Sequence, residues 1–402
     1  MKKSQFCLNL ICLGLLLIPL GLNSLETKLS GEFWGRWISE IAKKKDSNGN
    51  YDDKLVSNYL SLERGYLGLE TKFTEQIKGR FTVDIFTTDK TYEYQASTLS
   101  DSTLTSTTKS GSIDGAGLKI KYAYVDFGGL IPIKDMTLTA GMQKVYFGSI
   151  YDWSYTLIGK APTDEHKVVN SSDLGLTLNG FFPSGFGEYQ LGVYNGEGYK
   201  KVGANLKDNT DFAYLGNLRV TPITGLTVGG SYMLNTVGRD KTLDGEADNL
   251  SYEEQKLTDI YTRLAYGPVD LNCEYIIKNV DFPNITDSEK TNEYTATGIS
   301  IFPCINLKAY LPYDLQLVGC YDVWDESDRL ETDKARSKLT ASTIGINYNF
   351  LPDETEVPAM QLQLNYTDKK YDEDCSHSDY ADGEKDSSQI NLQLKWKFAN
   401  TL

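Results

Sequence analysis

The sequence predicts an all-β fold: a transmembrane antiparallel β-barrel of about sixteen strands, with short periplasmic turns and long extracellular loops. Three observations carry that expectation. Segments near the ~9–11 residues that a tilted strand needs to cross a bilayer alternate apolar and polar side chains. Long polar connections take turns with short ones along the chain, so all the long ones emerge at one end. Aromatics are abundant, with 27 Tyr, 15 Phe and 5 Trp against 35 Gly and 11 Pro. Amphipathic rings suit the two water–lipid interfaces.

The first element lies outside the barrel. Lys2 and Lys3 precede an apolar core from Leu8 to Leu20, and the small residue Ser24 follows. That is the layout of a secretory signal peptide, so residues 1–24 are assigned to export and 25–402 to one barrel domain. Pro19 and the shortness of the run argue against a membrane anchor.

Strands are then expected near 29–41, 58–71, 76–88, 117–128, 134–147, 170–181, 187–196 and 211–221. The second half continues near 225–236, 257–267, 269–278, 292–302, 313–324, 338–350, 357–367 and 387–398. "IKGRFTVDIFT" sets Phe81, Val83 and Ile85 against Lys78, Arg80, Thr82 and Asp84. "DLGLTLNG" sets Leu174, Leu176 and Leu178 against Asp173, Thr177 and Asn179. "AMQLQLNY" does the same with Met360, Leu362, Leu364 and Tyr366 against Gln361, Gln363 and Asn365. The chain closes with "INLQLKWKFANTL", whose apolar face runs from Ile390 to Phe398, while Lys395 and Lys397 face water.

The connections give the polarity of the barrel. "AKKKDSNGNYDDKLVS", the Ser/Thr-rich stretch Asp89 to Ala116, and Ser149 to Val169 are long. "TKFTEQ", "GGLIPIK" and "FFPSGFG" are short. Soluble sandwiches also alternate, but they rarely place every long connection at one end. About sixteen strands leave an aqueous lumen rather than a core filled by side chains.

Alternation points Arg36, Lys78, Arg80, Asp84, Lys119, Lys121, Arg219, Arg263, Glu274 and Lys395 into that lumen as candidate pore-lining groups. Further inward acids are Glu32, Asp173, Asp259, Asp270 and Asp322. Near parity of the two signs favours a weakly selective pore. Without Lys2 and Lys3, 38 basic against 55 acidic residues leave a net charge of −17, which excludes nucleic acid as a general partner.

Other chemistry has little support. Cys273, Cys304, Cys320 and Cys375 lack a paired spacing, so no zinc site is expected and one disulfide among them stays open. "DSNGNYDDK" lacks the glutamate that a calcium loop needs at its end and reads as a solvated turn. The acidic stretch Asp368 to Asp386 reads as solvated too. His166 and His377 are expected in external loops, without a nucleophile motif, so neither an enzyme nor a cofactor is expected.

Three stretches resemble the phosphate-selective porin O/P family of outer-membrane channels: "LERGYLGLE" (Leu62 to Glu70), "KYAYVDF" (Lys121 to Phe127) and "AGMQKVYFG" (Ala140 to Gly148). The last is similar to that family's Gly-x-x-Lys-x-Pro-Phe-Gly signature at Gly141, Lys144, Phe147 and Gly148, with Tyr146 in place of proline. The resemblance implies a sixteen-stranded porin, often a homotrimer, in which the third long loop folds into the lumen. That loop is residues 149–169 here, and Tyr151, Asp152, Trp153 and Lys160 are its constriction candidates. The C-terminal strand resembles the signal read by the barrel assembly machinery, with Trp396 and Phe398 as its aromatics and "ANTL" as an added tail. The expectation is therefore a bacterial outer-membrane, lipid-embedded diffusion channel for small hydrophilic solutes or ions. A phosphate-type anion porin and a surface adhesin or structural barrel are the alternatives.

Overall fold

The computed structural model describes residues 26–45, 51–88, 91–100, 103–112, 115–201, 211–238, 252–283, 291–326, 338–351, 359–372 and 386–401. The expected signal peptide, His377, Cys375 and most of the acidic stretch lie outside these residues. The strands are β1 (Glu26–Lys45), β2 (Tyr51–Lys72), β3 (Ile77–Thr88), β4 (Thr91–Ser100), β5 (Thr103–Ser112) and β6 (Gly115–Gly128). They continue as β7 (Met136–Lys144), β8 (Ser172–Phe181), β9 (Gly187–Tyr194), β10 (Ala213–Ile223), β11 (Leu226–Gly238) and β12 (Tyr252–Tyr266). The last six are β13 (Val269–Pro283), β14 (Thr291–Asn306), β15 (Leu315–Asp325), β16 (Leu339–Leu351), β17 (Met360–Tyr371) and β18 (Ser387–Thr401).

Sixteen of these strands close one barrel, antiparallel throughout, in chain order, with β1 paired to β18. β4 and β5 form a separate hairpin inside the stretch expected to be an irregular Ser/Thr-rich loop. β-branched threonine favours strands, so a threonine-rich segment can pair with itself. The connection after β1 is likewise shorter than the sequence suggests. The β1–β2 ladder runs on through Lys43 opposite Asp53 to Lys45 opposite Tyr51, and the Lys43 ammonium pairs with Asp386 at 3.2 Å.

Burial is inverted relative to a water-soluble sheet. Leu60, Leu118 and Ile344 are 82%, 70% and 68% exposed on the outer face, whereas Gln363, Gln393 and Asn347 inside are at most 1% exposed. An apolar outer surface of this extent far exceeds the few hundred Å² common on soluble monomers. The alternation read from "AMQLQLNY" and "INLQLKWKF" holds residue by residue, with Leu364 and Leu394 outside and Asn365 and Lys395 inside.

Two β-bulges break the alternation where it matters most. On β2, Trp34 pairs with Arg64 but Gly35 pairs with Leu62, leaving Glu63 unopposed. Above the bulge Leu60 and Leu62 face outward; below it Leu67 and Leu69 do. The extra residue reverses the parity, and Arg64 turns into the lumen beside Trp34. On β6 the same irregularity leaves Lys121 unopposed between Ile120 and Tyr122.

At the end of the chain, Ala399, Asn400 and Thr401 pair with Ser30, Leu29 and Lys28. The added tail "ANTL" is therefore part of the seam through Thr401. Cys273, Cys304 and Cys320 are free thiols.

Candidate functional site

The segment after β7 folds into the barrel, and the motif around Gly148 explains how. β7 stops at Lys144, short of the expected residue 147. Gly141 sits at φ +124°, where a Cβ would strike the backbone of Ala123 and Tyr124. Phe147 is fully buried, and Gly148 turns at φ +52°. A Cβ on Gly148 would collide with the Glu274 carboxylate and crowd Asp259, so only glycine satisfies both the backbone and the space. Tyr146, in the place of proline, packs its ring 5.1 Å from that of Tyr151.

From this hinge the segment crosses the lumen, touching wall after wall. Gly148 N–H donates to Ser231 Oγ at 3.0 Å, and Ser149 donates through N–H and Oγ to Glu274 at 2.8 and 2.7 Å. Tyr151 bonds Glu188, and Asp152 pairs with Arg219 at 2.6 Å while Arg219 also donates to the Gly148 carbonyl. Trp153 stacks near Phe302, with ring centroids 5.2 Å apart. Tyr155 reaches the opposite wall, 4.7 Å from Trp34, and accepts from Arg64 at 3.1 Å. The carbonyl of Thr156 accepts from Asn347 and Gln363 at 2.7 and 2.9 Å. A single helical turn, α1 (Pro162–Glu165), opens on proline, whose missing N–H costs nothing there. His166 then bonds Asp322 at 2.6 Å and stacks on Trp324. His166 is therefore inside the barrel, which corrects its expected external position: an aromatic wall and a carboxylate hold the imidazole there.

An apolar patch on the inner wall explains why the segment stays in. Leu215, Met233, Leu257, Ile276, Val280 and Ala296 face inward and pack with Phe147, Ile150, Val168 and Val169. The reading from alternation misses this patch because several of its residues, such as Leu257 between Lys256 and Thr258 and Val280 between Asn279 and Asp281, sit singly in polar sequence. Burying each such side chain stabilises the inward position by roughly 1.5–3 kcal/mol.

The ten inward candidates separate into two groups. Arg36 and Arg80 keep side-chain exposures of 17% and 31%, and Arg263 keeps 47%, while Lys78 and Lys119 also retain contact with solvent. Asp84, Lys121, Arg219, Glu274 and Lys395 face inward but are at most 5% exposed. These five face other groups rather than open water. Glu274 and Arg219 hold the hinge, and Lys395 donates to the Ser154 carbonyl at 3.4 Å. Lys121 bonds Ser171, and Asp84 accepts from Tyr199 at 3.4 Å. Of the loop candidates, Tyr151 and Trp153 are packed, whereas Asp152 and Lys160 remain exposed. Burial pushes the Tyr151 and Tyr155 phenols above their ordinary value, so both stay neutral hydrogen-bonding groups.

Most inward cations have an acid at hand. Arg36 pairs with Glu63 at 3.2 Å, Arg80 with Glu70 at 3.4 Å, Arg263 with Asp270 at 2.5 Å and Lys395 with Glu32 at 3.6 Å. Arg64, which strict alternation assigns to the outer face, is the lumen residue that sequence reasoning missed. The one-residue shift of the leucine rhythm across "LERG", from Leu60 and Leu62 to Leu67 and Leu69, is the signal that marks the bulge.

The chain matches no protein-family model and no curated protein sequence. Solved structures match it along nearly the whole length. The anion-selective porin from Comamonas acidovorans aligns with TM-score 0.56 at 12% identity, covering 93% of this chain and 100% of that one. The outer membrane channel DcaP of Acinetobacter baumannii aligns with TM-score 0.55 at 13% identity, covering 93% and 96%. OmpT of Vibrio cholerae, an outer membrane protein in trimer form, aligns with TM-score 0.56 at 11% identity, covering 92% and 99%. At these identities the likeness is one of fold.

Proposed function

We propose that the chain is an outer-membrane porin, a water-filled channel for passive diffusion of small hydrophilic solutes and ions. The observation that carries this reading is the inverted barrel crossed by an inward loop. An apolar belt faces out, polar side chains face in, and residues 145–171 narrow the lumen. An adhesin or purely structural barrel has no need of that inward segment. Residues 1–24 serve export, the aromatics Trp396 and Phe398 serve recognition by the assembly machinery, and lipid surrounds the belt. A homotrimer fits the reading, as OmpT is described in trimer form.

Selectivity in this reading is weak. The resemblance to phosphate-selective channels covers the glycine hinge and implies an inward third loop, but a phosphate trap needs unpaired cations in series. Here most inward arginines already hold a carboxylate. Liposome swelling with sugars of graded size tests the function. Swelling should be fast for monosaccharides and fall away over a few sugar units; liposomes holding folded barrel that never swell would refute it.

A further inference from the structure

Arg64 is unlike the other arginines described. Arg36, Arg80, Arg219 and Arg263 each hold a carboxylate within 3.4 Å. Arg64 has no acid within ion-pair distance among the described residues. Its Nη1 donates to Tyr155 Oη at 3.1 Å. Three rings surround its guanidinium carbon: Trp34 at 5.1 Å, Tyr66 at 5.5 Å and Tyr155 at 5.7 Å. Ring faces offset part of the loss of hydration, but a guanidinium carries five donors in a flat fork. With Asp84 acting on it only from beyond ion-pair distance, a charge drawn away from water in this way is suited to an oxyanion.

Arg64 faces a pocket of about 250 Å³ between the inward segment and the wall formed by β1, β2 and β14–β18. Other charges there are partnered: Arg36 pairs with Glu63 and Lys369 with Glu165 at 3.8 Å, while Asp322 shares a hydrogen bond with His166. Lys160 lines the same pocket, exposed and without an acid partner among the described residues. Trp34, Trp153 and Leu157 give the pocket apolar surface, and neutral polar groups such as Thr343, Gln389 and Asn391 complete its lining. A positive fork at one end and ring faces along the side select a ligand with an anionic head and a planar apolar body.

We propose that this pocket binds an aromatic monocarboxylate, with the carboxylate on Arg64 and the ring among Trp34, Tyr155 and Trp153. The volume suits a single ring. Tetrahedral phosphate would satisfy Arg64 but leave the ring walls without a partner. The site rests on the porin reading, since the lumen is the route by which solute reaches it, and a bound molecule there narrows the path for other ions.

Calorimetric titration of the detergent-folded full chain with benzoate tests the proposal. Benzoate should bind, and acetate, inorganic phosphate and benzyl alcohol should each bind at least tenfold more weakly. Arg64→Gln should lower benzoate affinity tenfold or more. Arg64→Lys, which keeps the charge and loses the fork, should lower it severalfold. Equal binding of phosphate or of benzyl alcohol, no benzoate binding by folded wild type, or unchanged affinity in Arg64→Lys would each overturn it. If Arg64→Gln fails to fold, judged by heat-modifiable gel mobility, Arg64→Lys decides, and unchanged affinity in it overturns the site. In planar bilayers, benzoate should reduce the chloride current of wild type. Conduction without benzoate binding removes this site and leaves the porin reading intact. Arg64-dependent binding in a barrel that never conducts removes the porin reading and leaves the site.

Discussion

Gly148 carries more of the site than its size suggests. Its left-handed backbone costs a non-glycine residue roughly 1–3 kcal/mol, and a side chain there would also meet Glu274 and Asp259. Gly148→Ala is therefore expected to lower the thermal midpoint of the folded-to-unfolded gel shift and to make single-channel currents noisier. An unchanged midpoint and quiet currents would remove the hinge role. The tyrosines beyond it set a limit with pH. Tyr151 and Tyr155 are raised above the unfolded phenol value by burial. Their stabilising contribution is complete below about pH 10 and is lost as pH climbs through the higher folded values. Conductance changes that disappear in Tyr151→Phe or Tyr155→Phe should begin only above that range; such changes between pH 6 and 9 would contradict the assignment.

Elements explain what alternation alone could and could not reveal. Strand existence and facing were legible because one face must be apolar and the other polar, as β8, β17 and β18 are. Strand ends were not, since β1 and β2 pair on through Lys43–Lys45 and Tyr51–Asp53, and β4 pairs with β5, in sequence that reads as loop. Arg64 was hidden because one bulge reverses parity, and the apolar inner patch was hidden because residues such as Leu257 and Val280 sit singly among polar neighbours. β18 illustrates the difference a pairing partner makes. Phe398 lies over Gly31 across the seam, Trp396 stacks on Phe33 at 4.7 Å, and Ala399–Thr401 continue the ladder. Phe398→Ala should reduce folded yield and cost about 0.5–1.5 kcal/mol of ring packing beyond lost area. Deleting Ala399–Leu402 removes three paired residues from the seam and should lower the thermal midpoint while folding still occurs. Wild-type stability in that deletion would mean a loose tail.

At the scale of the whole molecule, the balance of inward charge governs ion preference. The pairs Arg36–Glu63, Arg80–Glu70 and Arg263–Asp270 place each cation beside an anion along the wall. Reversal potentials in a salt gradient are accordingly expected to give a potassium-to-chloride permeability ratio within severalfold of one. Strong anion preference would mean that Arg64, Lys160 and their neighbours outweigh the pairs. The sequence announced the barrel and its loop polarity, while the closeness of the inward segment to so many walls emerges only from the closed fold.

The central claim is that ions pass through a lumen narrowed by residues 145–171. Single-channel conductance tests it most directly, with wild type measured beside a variant whose residues 150–168 are replaced by a short Gly-Ser linker. Wild type should open in steps, and the variant should fold and open in larger ones. Equal step sizes, or a folded wild type that never conducts, would contradict the account.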